Sequence, residues 1–239
     1  MAEDVLQVGI LETGRPPEEL ARRYGDYPAM VACWLGLPAG RHESYPVLEN
    51  ALPDSPLEKD LWVITGSKCA VYEDHAWIPP LEGFIRAARA AGSRMIGICF
   101  GHQIIARALG GQVEKSSKGW GLGLHEYAPL SWPRERLGPA PGVIRLHAFH
   151  QDQVTEAPAE ARCIARSDFC EHAALLYPGF ALTVQAHPEF SAPFLADLLQ
   201  MRRGSPLPPE DVDRALGGLS AAASDSWLAH LILERNRRF

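Results

Sequence analysis

Two short segments of this chain carry side chains that could do nucleophilic chemistry together: Gly97-Ile98-Cys99-Phe100-Gly101-His102-Gln103 and Gln185-Ala186-His187-Pro188-Glu189. Cys99 follows Arg94-Met95-Ile96-Gly97-Ile98, which reads as a short buried strand. It precedes a segment whose Ile104, Ile105, Ala108 and Leu109 share one helical face, with Gly110 as the stop. A nucleophile on such a strand-to-helix turn is presented at the top of an α/β sheet, where small neighbours let the backbone turn sharply and substrate approach. The helix N-terminus beneath it favours the thiolate. Taken alone, a free cysteine is more often a small buried hydrophobe, so its partners decide. His187 follows Ala181-Leu182-Thr183-Val184-Gln185-Ala186, another strand-like run. A histidine at a strand's C-terminal end can serve the thiol as base and a leaving amine as acid. Glu189 can orient the imidazole and stabilise its charged form. The plainer readings are a histidine capping a strand edge and a surface carboxylate.

The elements that must position these groups form a regular alternation. Strands are expected at Val5–Leu11, Glu43–Leu48 and Leu61–Thr65, and helices at Pro17–Tyr24, Pro28–Leu35 and Ile78–Ala91. Gly25, Gly36 and Gly92 are the helix stops. Strands alternating with helices argue for a mostly parallel sheet covered on both faces. After Gly110 the pattern changes to short strands at Gln112-Val113, Gly119–Tyr127, Gly142–Phe149, Arg162–Ala165 and His172–Tyr177, read as antiparallel additions. The chain then rejoins the main sheet at Ala181. Gly204-Ser205-Pro206-Leu207-Pro208-Pro209 is the best linker. Helices at Glu210–Leu216 and Asp225–Arg238 complete a C-terminal extension, and the core runs over about residues 5–203 of one domain spanning 1–239. The Trp227, Leu228, Leu231 and Ile232 stripe is expected to pack on its own domain. The basic end, Arg235, Arg237 and Arg238, suits a helix C-terminus.

The ordered pair of motifs, Gly-x-Cys-x-Gly-x-Gln and then Gln-x-His-Pro-Glu, resembles the class I (triad) glutamine amidotransferases over roughly residues 5 to 200. Within them it is most similar to stand-alone relatives of the GMP synthase amidotransferase domain. The resemblance implies a flavodoxin-like, three-layer αβα sandwich with Cys99, His187 and Glu189 as a catalytic triad. It implies attack on the glutamine side-chain amide, a γ-glutamyl thioester, release of ammonia and resolution by water to glutamate. The backbone N–H of Phe100 and that of Gly66 would form the oxyanion hole. Gln103 would sit at the substrate's amino-acid end. His150-Gln151-Asp152-Gln153-Val154 resembles the family's His-x-Asp-x-Val segment, putting His150 and Asp152 beside the substrate or an acceptor interface. One departure is Ser67, where family members often carry glycine or proline soon after the Gly66 equivalent. Serine tolerates a left-handed conformation less readily than glycine, which puts the loop's backbone in question.

Other features carry blander expectations. His102 reads as a solvated helix residue, and Lys115 and Lys118 as a solvated face. Cys163, Cys170 and His172 lack Cys-x-x-Cys pairing, so no metal site is expected, and no cofactor. Gly119-Trp120-Gly121-Leu122-Gly123 lacks the phosphate-binding pattern and the following helix, leaving a strand or turn. With 239 residues, 46% hydrophobic and 22% charged, the composition is that of a globular chain with a large core. A net charge of −6 provides no basic footprint for nucleic acid. Met1-Ala2-Glu3-Asp4 lacks a signal-peptide layout, and no apolar run approaches a membrane span. An odd set of 5 cysteines argues for a reducing, cytoplasmic setting.

Three functions compete. The leading one is a glutamine amidohydrolase passing ammonia to a separate acceptor protein, because no synthetase or ATP-binding loop is visible. The second keeps the triad but cleaves γ-glutamyl peptides, whose leaving amine is larger; room around Lys68–Trp77 discriminates. The third is a non-catalytic regulatory module, against which the intact Cys99, His187 and Glu189 argue.

Overall fold

Leu61-Trp62-Val63-Ile64 shows how the architecture arises. Its side chains alternate between two apolar layers, Leu61 and Val63 in one, Trp62 and Ile64 in the other, and all four are fully buried. A strand buried on both faces needs cover on both faces. A computed structural model describes residues 6–235 of the chain. Val5, expected to open the first strand, lies outside the described residues, as do Met1–Asp4 and the helix end with Arg237 and Arg238; the side chain of Arg235 is likewise not described.

Strand β1 (Val8–Glu12) leads into helices α1 (Glu18–Tyr24) and α2 (Tyr27–Trp34), then β2 (His42–Pro46) and β3 (Leu61–Ile64). Helix α3 (Ile78–Ala91), strand β4 (Met95–Ile98) and helix α4 (Phe100–Ala108) follow. Asp26 caps α2 by accepting from Ala29 N at 2.8 Å, and Gly92 ends α3 at φ 72°. Between α4 and the return to the main sheet come β5 (Gln112–Lys115), β6 (Gly121–Pro129), the short α5 (Arg134–Leu137), β7 (Ile144–His150), β8 (Asp152–Glu156), β9 (Arg162–Arg166) and β10 (Ala174–Tyr177). Strand β11 (Ala181–Val184) precedes α6 (Ala192–Arg202), α7 (Pro209–Gly218) and α8 (Asp225–Arg235).

Nine strands make one sheet in the order β2-β1-β3-β4-β11-β10-β9-β6-β7. Pairing is parallel from β2 through β11 and antiparallel from β11 through β7. Strands β5 and β8 form a separate antiparallel pair. On one face α2 and α8 cover Val8, Ile10, Val63, Ile96 and Ile98; on the other α3 and α4 cover Trp62, Ile64 and Met95. Each fully buried Val, Leu or Ile contributes about 1.5–3 kcal/mol, and the two layers hold the parallel strands in register. This is the expected αβα arrangement with antiparallel additions. No helix among the described residues is long and apolar enough to cross a membrane.

Several local readings are corrected. The first strand runs on to Glu12. Strand β8 and helix α6 stand where no element was expected; α6 is started by Ser191, whose Oγ accepts from Phe194 N at 3.3 Å. The segment read as a linker is a tight turn: Leu207 is fully buried, and Gly204 N donates to Leu207 O at 2.8 Å. Leu228, Leu231 and Ile232 of α8 join the core, as expected for the stripe, and Trp34 Nε1 donates to Asp225 O at 2.9 Å.

Candidate active site

The register of the parallel strands brings the chemistry together. Thr183 and Val184 of β11 lie beside Gly97 and Ile98 of β4, and Gly97 also faces Ile64 of β3. The residues just beyond these strands, Thr65-Gly66, Cys99 and Gln185–Glu189, therefore emerge side by side at the carboxyl edge of the sheet. Ligands of open α/β sheets bind at that edge.

Cys99 sits at φ 51°, ψ −99° between strand and helix, one of few non-glycine residues at positive φ. Such a conformation costs about 1–3 kcal/mol and persists only where the surroundings enforce it. Here Cys99 N donates to Val184 O at 2.9 Å, and its carbonyl accepts from Gln103 N at 3.1 Å. The flanking glycines are steric necessities: a Cβ on Gly97 would meet Gly101 O at 2.6 Å, and one on Gly101 would meet Ile64 O at 2.4 Å. The turn is therefore the expected elbow, although Cys99 is not exposed: it is 6% accessible and reached through a cavity.

His187 is held from all sides. Its backbone N donates to His147 O at 2.7 Å, and its ring stacks on Phe190 at 4.0 Å and 10°. Nδ1 lies 2.8 Å from Glu189 Oε1, and the ring lies close enough to the Cys99 sulfur to interact with it electrostatically. Burial works against the charged imidazole, but the Glu189 carboxylate and the Cys99 sulfur outweigh it and raise the pKa well above the ordinary value. The Glu189 side chain is fully buried, unlike a surface carboxylate.

Gly66 packs directly on this imidazole, since a Cβ there would lie 2.7 Å from His187 Cε1. Thr13 and Thr65 brace the loop: Thr13 N donates to Thr65 Oγ1 at 3.0 Å, and Thr13 Oγ1 donates to Thr65 O at 2.8 Å. Ser67 has no positive φ, so its departure from glycine brings no strain. Its hydroxyl instead accepts from Cys69 N at 3.1 Å. Phe100 opens α4, where helix geometry leaves its N–H free of an intrahelical partner.

The cavity above Cys99 has a volume of about 410 Å³. Its walls come from the loop Ser67–Glu73, from Lys115, Trp120 and Phe149 of the antiparallel additions, and from Arg202. Gln103, His150 and Asp152 also line it. Gln103 Nε2 donates to Asp152 O at 2.8 Å and to Gln185 Oε1 at 3.1 Å, so both its amide hydrogens are used within the protein. Gln185 Nε2 in turn points at Cys99 Sγ from 3.7 Å, a contact the sequence motif did not reveal. His150 Nδ1 faces Asp152 O at 3.2 Å, and burial pushes this ring down to about 3, keeping it neutral. Burial raises the Asp152 carboxyl, which accepts from Tyr72 Oη at 3.1 Å across the cavity. His102 is fully buried rather than solvated, with Nδ1 2.8 Å from Thr183 Oγ1; burial pushes it down to about 3. Lys115 and Lys118 are both exposed, as expected of a solvated face; Lys115 also lines the cavity, and Lys118 Nζ donates to Asp168 O. Sequence reading passed over Thr13, Tyr72 and His147, because nothing in their local pattern marks contacts made across the fold.

Residues 47–194 match the family model of the class I glutamine amidotransferases. Gamma-glutamyl peptidase 4 of Arabidopsis thaliana is 32% identical over 209 residues, covering 83% of this chain and 81% of that protein. The glutamine-hydrolysing GMP synthase of Thermus thermophilus is 32% identical over 146 residues, which are 57% of this chain and 27% of that one. In fold, the chain superposes on a glutamine amidotransferase from Methylobacillus flagellatus with a TM-score of 0.75, at 20% identity, over 97% of this chain and 94% of that one. The matched stretch takes in both the Cys99 elbow and the His187 strand end, and the chain belongs to the class I glutamine amidotransferase family.

Proposed function

We propose that this protein hydrolyses γ-glutamyl amide bonds, with Cys99, His187 and Glu189 as a catalytic triad and a leaving amine larger than ammonia. The observation that carries the reading is that Glu189 Oε1 holds Nδ1 of His187 at 2.8 Å with the His187 ring beside Cys99, and that Cys99 opens into a cavity of about 410 Å³. The sulfur attacks the amide carbon, and the thiol proton resides on His187. The developing oxyanion meets the N–H groups of Phe100 and Gly66. His187 returns the proton to the leaving nitrogen, the C–N bond breaks, and a γ-glutamyl thioester remains. Water then attacks the thioester carbon while His187 takes its proton. Glutamate leaves, and Cys99 regains its proton from His187. Glu189 holds Nδ1 so that Nε2 faces the sulfur, and it stabilises the charged ring throughout.

Room in the cavity supports the larger leaving group. Its volume of about 410 Å³ falls in the range of whole-ligand pockets, roughly 300–1,000 Å³. Lys68, Lys115 and Arg202 face it together with Glu73 and Asp152, a mixed-charge lining suited to a zwitterionic peptide. Similarity to a plant γ-glutamyl peptidase over most of both chains supports the same reading. The second reading, glutamine as substrate with ammonia passed to a separate acceptor protein, is favoured by the similarity to GMP synthase. Five free cysteines suit a reducing compartment, with the cytoplasm as the proposed location.

The test compares glutamate release from a γ-glutamyl dipeptide with ammonia release from glutamine. Faster turnover of the dipeptide is expected; turnover of glutamine alone would overturn the leaving-group assignment. Incubation with a glutamine-analogue electrophile should add one covalent adduct by intact mass. An adduct that survives Cys99→Ala would remove Cys99 as the nucleophile.

A further inference from the structure

The loop from Gly66 to Trp77 carries three groups that take no part in the bond-breaking proposed at Cys99. The Cys69 sulfur, a Glu73 carboxylate oxygen and a His75 ring nitrogen all lie within 4.8 Å of one another. His75 Nε2 is 2.8 Å from Glu73 Oε2. Each ligand is held by the loop. Cys69 N donates to Ser67 Oγ, and the His75 ring stacks on Trp77 at 5.8 Å and 13°. Trp77 in turn packs on Phe100, next to the Cys99 elbow.

We propose that Cys69, Glu73 and His75 form a binding site for a divalent transition-metal ion, zinc above all, at the rim of the Cys99 cavity, and that its occupancy restricts access to Cys99. The donor set supports zinc: one thiolate, one imidazole and one carboxylate are its ordinary ligands, whereas magnesium and calcium require oxygen throughout. Three protein ligands leave a fourth tetrahedral position to water. Bonds of about 2.0–2.3 Å in a tetrahedron put ligand atoms about 3.3–3.7 Å apart. Side-chain movements of about 1 Å close the present spread. Binding displaces the Cys69 proton to solvent as the sulfur becomes a ligand.

Access is affected because Cys69 and Glu73 themselves line the cavity. Between them lies Tyr72, whose Oη reaches Asp152 on the opposite wall at 3.1 Å. A metal ion joining residues 69, 73 and 75 fixes this strap across the cavity.

The test uses the full chain in a Cys99→Ala background, so that the buried sulfur cannot itself bind metal. Cobalt(II) is expected to bind at one equivalent with a thiolate-to-cobalt charge-transfer band, and Cys99→Ala/Cys69→Ser should lose that band. Zinc affinity, measured by competition with a chromophoric chelator, should fall about 100-fold in Cys99→Ala/His75→Ala. A band unaffected by Cys69→Ser, absence of binding, or an affinity unchanged by His75→Ala would each overturn the site. In the otherwise unaltered protein, zinc should slow alkylation of Cys99 by iodoacetamide, followed by peptide mass, and His75→Ala should abolish that protection. Protection that persists in His75→Ala would locate the ion at Cys99 and overturn the effect on access. These readouts do not need turnover, so the metal site and the amide-hydrolysis reading can fail separately.

Discussion

The floor and the walls of the cavity are built on different principles. The floor, Cys99 with Gln185, His187 and Glu189 behind it, stands on the ends of buried parallel strands, gripped by backbone and ring contacts. The walls come from the Ser67–Glu73 loop and the antiparallel additions, with charged residues facing open space. The proposed bond-breaking needs atoms held within a fraction of an ångström, and strand ends packed on both faces hold them more closely than loops do. Choice of leaving group needs adaptable chemistry, for which loops and sheet edges suffice.

Substitutions on the floor should therefore act on kcat, and those on the walls on KM. If Cys99 is the nucleophile as proposed, Cys99→Ala should lower γ-glutamyl hydrolysis by at least about 10⁴-fold. Glutamate release measures it; a residual rate within tenfold of the parent would break the contrast. Glu189→Gln keeps the shape but weakens the hold on Nδ1, and a loss of about 10²–10⁴-fold in kcat is expected with KM little changed. Gly66→Ala pushes a methyl group into the His187 ring, and displacement on the order of 1 Å should reduce kcat about 10²-fold. Circular dichroism would verify that the fold survives. On the walls, Lys115→Ala should raise KM for a γ-glutamyl dipeptide about fivefold while leaving kcat and free-glutamine turnover unchanged. An equal effect on both substrates would mean that Lys115 faces the glutamyl end.

The smallest effect concerns stability. His102 and His150 are kept neutral by burial, His102 also by nearby His172, and both are held down to about 3. In the unfolded chain they take up protons below about 6.5. The unfolded state therefore binds more protons between about 6.5 and 3, and the stabilisation present above 6.5 is lost as pH falls through that window. Thermal unfolding should show Tm declining there, with a shallower decline in His102→Gln. His187 has the opposite sign: its raised pKa adds stability that is complete below about 6.5 and is lost as pH rises through the raised value. The Tm difference between the parent and Glu189→Gln should accordingly shrink on the alkaline side.

Legibility in the sequence followed locality. The strand before Cys99 and the helix after it were readable because their apolar spacing and glycine stops lie within a few residues of one another. Helix α3 was readable from the helical spacing of Leu81, Phe84, Ile85 and Ala88 and from Gly92 just beyond its end. Strand β8 escaped notice because Asp152-Gln153-Val154-Thr155-Glu156 offers little apolar alternation, and its partner β5 is remote in sequence. His102 looked solvated because helix position alone does not say what packs on it, and β11 does.

The sequence alone determined the alternation of strands and helices up to Gly110, the elbow around Cys99 and the succession of a thiol by a later His-Pro-Glu. These follow from steric and hydrogen-bonding preferences between near neighbours. Tertiary structure decided that Cys99 is buried, that Gln103 spends its amide hydrogens inside the protein, and that the cavity has room above the sulfur. It also brought Tyr72 to Asp152 and the loop to the rim. Those properties come from surfaces far apart in the chain meeting in one place, and no local pattern of residue types specifies which surfaces meet.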